Sequence, residues 1–312
     1  MKTTAISNCP VNLAGSRGHH LSLANACPVN LASSLSKASS FVIDIPTKVT
    51  VELLEKKTKT GDNPAKKVAD NVMDFFGKDM GYRISVDSEV PLDFHGRNEA
   101  VSVAAALAVA GALSAISGSV NELLIDKNTR EQFFVVNEKV VNKLDLLSCC
   151  CIAGNRFDML AAAMFGGFAV CDNSKKEILR RGEMEELDVV VLLRHSKKPP
   201  IHTELEIAFN EALKGNLYTA MKIGGIINGS GEVIEKLLKP GAISVSESNG
   251  LLIALVRDKK RMPEVSDTAK SLGEIITAKT SNFKASVPVK PRRLVKMVQF
   301  LKLKGKDEFY WL

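Results

Sequence analysis

Asp158 lies in a fourteen-residue stretch, Gly154-Asn-Arg-Phe-Asp-Met-Leu-Ala-Ala-Ala-Met-Phe-Gly-Gly167, whose residue types suit the presentation of one carboxylate. Phe157, Leu160, Ala161 and Met164 recur at i, i+3, i+4 and i+7, which predicts a short helix with that stripe buried. Gly166-Gly167 stops the helix, and an apolar strand from Phe168 to Cys171 follows. Two readings of Asp158 are open. Asn155 is a good N-cap, and an acid three residues later closes a capping box with Asp in place of Glu. The same place, beside a buried stripe and near a helix N-terminus that favours negative charge, also presents a catalytic carboxylate to a phosphorylated ligand. Spacing alone favours the cap.

A second stretch, Pro91-Leu-Asp-Phe-His-Gly-Arg-Asn-Glu99, is a turn between an alternating strand, Tyr82 to Val90, and an Ala-rich helix, Ala100 to Ile116. Strand, turn and buried helix is the arrangement in which a helix N-terminus receives phosphate. The helix is just short of the roughly 20 residues a membrane span requires, so it reads as packed on all sides within the protein.

The remaining candidates are weaker. His19-His20 lies between Cys9 and Cys27, but no common zinc spacing is met. His95, His195 and His202 are isolated, and a solvated or hydrogen-bonded histidine is the default for each. The six cysteines include three in a row, Cys149 to Cys151, which is neither a disulfide framework nor a zinc pattern. They predict buried free thiols in a reducing cytosol. The first 30 residues lack the apolar run of a signal peptide, so a cytoplasmic protein is expected, with no membrane segment.

The elements that must hold these residues follow from pattern. Net charge is +7, concentrated between Lys284 and Lys306, and 312 residues can form one large domain or two intimate lobes. Asn8-Cys-Pro-Val-Asn-Leu-Ala14 recurs as Ala26-Cys-Pro-Val-Asn-Leu-Ala32, and the first copy reads as redundant. Ser39 to Glu55 alternates as a strand, Lys56 to Lys67 reads as a loop, and Ala69 to Phe76 as a helix. Phe133 to Leu147 reads as helical, and Val189 to Leu193 as a buried strand. Thr203-Glu-Leu-Glu206 is a capping box for a helix ending at Gly215. Leu217 to Ile227 and Val233 to Leu238 read as helices, Leu251 to Val256 and Glu274 to Thr277 as strands. In the tail, Leu294, Val295, Val298, Leu301 and Leu303 alternate with Lys and Arg, which predicts a docked amphipathic helix with a solvated basic face rather than a nucleic-acid arm. The class is mixed α+β.

With these pieces in order, the chain resembles the GHMP kinases (galactose, homoserine, mevalonate and phosphomevalonate kinases), and within them the archaeal-type shikimate kinases. The resemblance is carried by Val29-Asn30 through Ser36-Lys37 to Asp44, by Ser88-Glu-Val-Pro91, by Phe157-Asp158 with Phe165-Gly-Gly167 and Asp172-Asn173, by Gly215-Asn216 with Ala220-Met221 and Gly241-Ala242, and by Thr280 with Asn282. It covers residues 29 to 283.

The resemblance implies a two-lobed α+β GHMP-kinase-like fold with the active site in the cleft between lobes. Residues 1–180 would form the N-terminal lobe, 181–283 the C-terminal lobe and 284–312 a basic amphipathic tail. It implies ATP and Mg²⁺ as cofactors, phosphoryl transfer to a hydroxyl of a small acid, and shikimate as that acid. Asp158 would be the base and Lys37 would neutralise transferred charge. Pro91, Leu92, Asp93, Phe94, His95, Gly96, Arg97, Asn98, Glu99, Ala100 and Val101 would cradle the triphosphate, together with Ser246 and Ser248 from a third motif. Arg156 would meet the acceptor's carboxylate. Two of the four departures from the family pattern are acidic. Asn98 and Glu99 stand where serines belong, and Glu247 and Asn249 where glycines belong. A carboxylate aimed at a triphosphate repels it by roughly 1–4 kcal/mol, whereas Glu99 as a Mg²⁺ ligand would not. The alternative is therefore a GHMP-fold binding or regulatory protein without catalysis.

Overall fold

The structure, a computed structural model, describes residues 2–15, 37–55, 62–92, 94, 96–116, 124–126, 132–137, 139–193, 205–228, 231–248, 251–287 and 294–295. The second copy of the N-terminal repeat, the His19-His20 pair, Asp93, His95, His195, His202, Thr203 and all of the tail except residues 284–287, Leu294 and Val295 lie outside them.

One long strand organises the first sheet. β1 (Lys2–Gly15) pairs antiparallel with β2 (Lys37–Leu54), from Lys2 opposite Glu52 to Gly15 opposite Ala38. The first repeat copy, Asn8 to Ala14, is therefore an integral part of the sheet rather than redundant. Its register shifts at Asn8/Cys9, where Pro10 follows and cannot donate to the ladder. α1 (Pro64–Phe75) starts earlier than its apolar pattern suggests, because Asn63 caps it by accepting the Lys66 N–H at 2.9 Å and Pro64 fits its first turn. That corrects the expected loop, which ran to Lys67. β3 (Gly81–Ser88) pairs with the second half of β2.

α2 (Arg97–Ile116) is buried from Glu99 to Ser114, as its all-round apolar pattern requires, and it packs against β1, β2 and α1. Its alanines let the backbones approach closely. β4 (Leu124–Asp126), β5 (Gln132–Val136) and β6 (Lys139–Val141) form a meander where a helix was predicted. The run Phe133-Phe-Val-Val136 is aromatic and β-branched, and Asn137 turns the chain at φ +49. Only α3 (Lys143–Cys149) is helical there, started by an Asn142/Asp145 capping box. α4 (Phe157–Phe165) leads through Gly166-Gly167 to β7 (Phe168–Asp172), which pairs with the first half of β2, and then to β8 (Glu177–Gly182).

The second sheet has the order β10-β11-β9-β12 and is antiparallel throughout. It comprises β9 (Asp188–Leu193), β10 (Ser244–Ser248), β11 (Leu251–Val256) and β12 (Glu274–Lys279). α5 (Leu205–Lys214) and α6 (Leu217–Asn228) cover one face, α7 (Gly231–Leu238) and α8 (Met262–Lys270) the other. Strand alternation divides the core. Val189 and Val191 join Phe41, Ile43 and the α5–α6 side, while Val190 and Leu192 join α7 and α8. On β2, Val42 instead faces α1 and α2. In the tail, Leu294 and Val295 form a short strand, β13, parallel to β4. For these two residues the expected helix gives way to strand pairing.

Residues 280–282 clasp the two sheets together. Thr280 bridges Ile43, and its hydroxyl accepts the Leu187 N–H at 2.9 Å and donates to the Glu185 carbonyl at 2.7 Å. The Ser281 N–H donates to Val42 and its carbonyl accepts from Gly167, at 2.8 and 3.0 Å. Asn282 pairs through both amide atoms with the Met184 backbone at 2.8 Å. The glycines permit this approach. Gly166 and Gly167 have φ of +74 and +63, and a Cβ on Gly167 would lie 2.1 Å from the Gly182 carbonyl oxygen. Gly154, at φ +95, has open space around it. Gly167→Ala is therefore expected to destabilise the chain by more than about 3 kcal/mol and Gly154→Ala by about 1–2, read from urea unfolding. Equal losses at the two sites would show that backbone approach at the clasp contributes nothing beyond φ.

Candidate functional site

Asp158 is completely buried in the first turn of α4, but not as a local cap. The helix begins one residue later than an Asn155 cap would place it, and Arg156 is the N-cap residue without a side-chain bond. Asn155 instead donates to the Ser102 hydroxyl at 2.8 Å and the Cys150 carbonyl at 3.1 Å, tying α4 to α2 and α3. The capping box is therefore not formed. The Asp158 N–H is capped from outside the helix by Asn173, whose Oδ1 accepts it at 2.8 Å.

Every side of the carboxylate is held. Arg156 Nε donates to Oδ1 at 3.1 Å and Nη2 to Oδ2 at 2.9 Å. Asn173 Nδ2 donates to Oδ1 at 3.0 Å, and the Ser40 hydroxyl donates to Oδ2. An isolated buried carboxylate would be prohibitively costly, and a bidentate guanidinium with two further donors offsets that cost. Three elements supply the donors: Ser40 comes from β2, Arg156 from the approach to α4, and Asn173 from the turn after β7. Neither Ser40 nor Asn173 has a spacing signature of its own. Ser40 is one of two adjacent serines in its strand, and Asn173, although part of the Asp172-Asn173 pair that carries the resemblance, has nothing in its spacing that assigns it to Asp158.

Glu99 joins the same cluster. It lies in the first turn of α2, is 5% exposed, and its Oε1 accepts the Arg156 N–H at 3.1 Å. Burial pushes its carboxyl above the ordinary value of 4.5, against the pull of the Arg156 and Glu99 backbone N–H groups and the Arg156 charge. The Arg156 residue thus contacts both acids, one through its backbone and one through its guanidinium. Among the described residues, no three His, Cys, Asp or Glu gather as a metal site. Glu99 and Asp158 are a pair, which suits Mg²⁺ only where phosphate oxygens complete the shell.

The loop before α2 is compact. Phe94 N–H donates to the Pro91 carbonyl at 3.1 Å, Arg97 N–H to Phe94 at 3.2 Å, and Gly96 has φ +95. Phe94 is buried with Val90 in the second core, Leu92 is 81% exposed, and Ala100 and Val101 are buried. The Arg97 guanidinium donates to the Val90 carbonyl, and Asn98 is exposed. Ser102, the first hydroxyl of the helix, is buried and bonded to Asn155.

Two further sets are not brought to Asp158 by any contact described here. Lys37 opens β2 opposite Asp172, is exposed, and its ammonium lies 5.7 Å from the Phe209 ring centroid. Ser246, Glu247 and Ser248 are in β10, which pairs with β11 out to Ser248 opposite Leu251, leaving only Asn249 and Gly250 between the strands. The stretch matched to the third motif is a paired strand as far as Ser248, with Ser246 and Glu247 buried. Of the six cysteines, four have described side chains and all four are free: Cys149, Cys150 and Cys171 are buried, as expected, and Cys151 is half-buried; burial raises each of these thiols' pKa.

No family model matches the chain. The shikimate kinase of Thermoplasma acidophilum is 28% identical over 222 residues, 67% of this chain and 75% of that one. That of Methanococcoides burtonii is 26% identical over 275 residues, 79% of this chain and 90% of the other. Among solved structures, a homoserine kinase from Cytophaga hutchinsonii superposes with a TM-score of 0.62 at 13% identity, covering 92% of this chain and 97% of its own. The Methanococcus jannaschii mevalonate kinase gives 0.54 at 12% identity, covering 93% and 98%. A further structure described as a complex with MVAPP, AMPPCP and magnesium gives 0.55 at 11% identity, covering 93% and 99%. The fold is that of the GHMP kinases, and the sequence is similar to the archaeal shikimate kinases.

The buried Glu99 has a thermodynamic signature. Its carboxyl holds a proton more tightly in the folded chain than in the unfolded one, so its contribution to stability falls as pH rises above 4.5. Glu99→Gln keeps an acceptor for the Arg156 N–H and removes the ionisation. Its melting temperature relative to the parent is expected to be higher at about pH 8 than at about pH 4.5. A difference that is constant with pH, or larger in acid, would refute the buried-carboxyl account.

Proposed function

We propose that the chain is a small-molecule kinase that transfers the γ-phosphoryl group of ATP to a hydroxyl, with shikimate as the acceptor. The observation that carries this reading is the Asp158 carboxylate, buried at a helix start and aligned by Arg156, Ser40 and Asn173. It is supported by the similarity to shikimate kinases over most of the chain.

In this reading the acceptor hydroxyl takes the place of the Ser40 hydroxyl on Oδ2, and Asp158 receives or orients its proton. The guanidinium of Arg156, whose side chain is 17% exposed, orients the Asp158 carboxyl through two hydrogen bonds and offers its open edge to the acceptor's carboxylate. Lys37 neutralises transferred charge at the mouth of the site. The start of α2 fits a nucleotide's phosphates in three respects: the positive φ of Gly96, the Arg97 cation and the exposed Asn98. Residues 91–101 would hold ATP there and Glu99 its Mg²⁺, with Ser246 and Ser248 approaching from the second sheet. Bound Mg-ATP supplies the phosphoryl group and the charge that balances Glu99. The site lies in a cleft between lobes divided near residue 180, and the protein works in the cytoplasm.

One observation favours a second reading, a binding protein without catalysis. All the donors around Asp158 are internal, and Glu99 is buried where a family member would present a serine.

A coupled ADP-release assay with shikimate, homoserine and mevalonate separates the readings. Turnover is expected with shikimate, and Asp158→Asn is expected to lower kcat by about 10²–10⁴-fold. Millimolar Mg-ATP is expected to raise the melting temperature by several degrees through mass action. A thermal shift without turnover on any acceptor would select the binding protein. Absence of both would remove ATP from the account.

A further inference from the structure

A carboxylate offers about four acceptor positions, and those of Asp158 are filled from within the chain. Oδ1 accepts Arg156 Nε at 3.1 Å and Asn173 Nδ2 at 3.0 Å. Oδ2 accepts Arg156 Nη2 at 2.9 Å and the Ser40 hydroxyl. A ligand therefore reaches this carboxylate only when one donor leaves, and the donors are not equally free to leave. Arg156 is charged and bidentate, so losing it would strand a buried acid. Asn173 grips Asp158 twice, since its Oδ1 also accepts the Asp158 N–H at 2.8 Å, and letting go would uncap α4. Ser40 is neutral, donates once and swings on χ1 alone. Among the described residues, its hydroxyl bonds only to Asp158.

Ser40 and Asp158 are both completely buried, so bulk water does not reach the place where the hydroxyl sits. A hydroxyl held there, where a phosphoryl acceptor must place its own, is an internal stand-in for that acceptor. Displacing it breaks one hydrogen bond that any incoming hydroxyl restores, so the exchange alone favours no ligand. The rest of the ligand decides. An acceptor with a carboxylate also gains Arg156, whose Nη1 has no partner among the described residues and whose side chain is 17% exposed. Water gains only the bond it replaces and gives up its bonds in bulk. Binding energy from a remote part of the acceptor is what opens the base.

Resting on the kinase reading of this site, we propose that Ser40 is a specificity-determining residue. Its hydroxyl closes Asp158 Oδ2 to water and yields it to an acceptor that also engages Arg156, which suppresses hydrolysis of ATP. Without the hydroxyl, the buried carboxylate lacks one donor, and a water takes the vacated polar position. The water oxygen then forms a bond to Pγ, and the bond from Pγ to the β,γ-bridging oxygen breaks. The water proton passes to Asp158 Oδ2, and ADP and phosphate leave.

Ser40→Ala and Ser40→Cys in the full chain test this, by ADP release from Mg-ATP without acceptor and by melting temperature. Ser40→Ala is expected to raise acceptor-independent ADP release about tenfold or more over the parent. Ser40→Cys, whose thiol donates weakly, should fall between the two, and it carries the test if Ser40→Ala does not fold. With shikimate present, ADP formed per acceptor phosphorylated should stay near parity in the parent and rise in the variants. Loosened packing would lower melting temperature and turnover together and leave that ratio unmoved. Adding Asp158→Asn to either variant should return ADP release to the parent level. The guard is overturned if folded variants hydrolyse ATP no faster than the parent, or if the gain survives Asp158→Asn. A parent that phosphorylates no acceptor, beside a Ser40→Ala chain that hydrolyses ATP through Asp158, would sink the shikimate reading and leave the guard standing.

Discussion

A fully buried carboxylate is the constraint from which most of the first half of the molecule follows. Removing the partner of such a charge costs about 3–5 kcal/mol, so the donors around Asp158 must be delivered with accuracy. β2 has to pass close enough for Ser40 to reach it, β7 has to end where Asn173 can turn back, and Arg156 has to precede α4 in extended conformation. Pairing of β2 with β7, from Phe41 opposite Phe168 to Lys37 opposite Asp172, meets the first two demands at once. Glu99 meets the third, because its acceptance of the Arg156 N–H positions the N-cap residue from α2. The cluster is thus a junction of β2, β7, α2 and α4 rather than a feature of one helix.

That junction would loosen without the clasp, which continues the β7 edge of β2. The Val42 N–H donates to Gly167 and its carbonyl accepts from Ser281, so the strand carrying Ser40 is held by the turn after α4 and by the segment after β12. Thr280 and Asn282 then secure the residues that lead into β9. Residues that look like a terminal binding motif act here on backbone, and their side-chain bonds are all made within the protein.

Much of this was legible in the sequence, and the failures have specific causes. The apolar runs of β9 and β11, the helices of the second half and the buried α2 were recoverable because pattern and burial agree. The meander at β5 and β6 was misread as helix because Phe133 to Leu147 is apolar without a clear period, and only tertiary pairing decides such a run. The first repeat copy looked redundant because a duplication offers two candidates for one strand, and sequence alone does not say which is used. At the site, Asp158 and Glu99 stood out as acids in special places. Their partners did not, because Ser40 and Asn173 are 118 and 15 residues from Asp158 and converge only through the sheet.

The two acidic departures from the family pattern are physically unlike. Glu247 sits in a strand that is paired along its length, with Val245 beside it packed so closely under α6 that a Cβ on Gly225 would lie 2.3 Å from its carbonyl oxygen. A paired strand occupies the place where the resemblance would put a glycine loop, and a glycine at position 247 would weaken β10 before it made room for phosphate. Glu99 sits in a helix start that retains the positive-φ glycine and a cation next to it. Its carboxylate is already engaged with the backbone that positions Asp158. A charge brought to α2 would therefore act on Asp158 through Arg156, which couples the nucleotide end of the proposed site to its catalytic end. Of the two acids, one is thus built into a paired strand and the other is wired into the buried network.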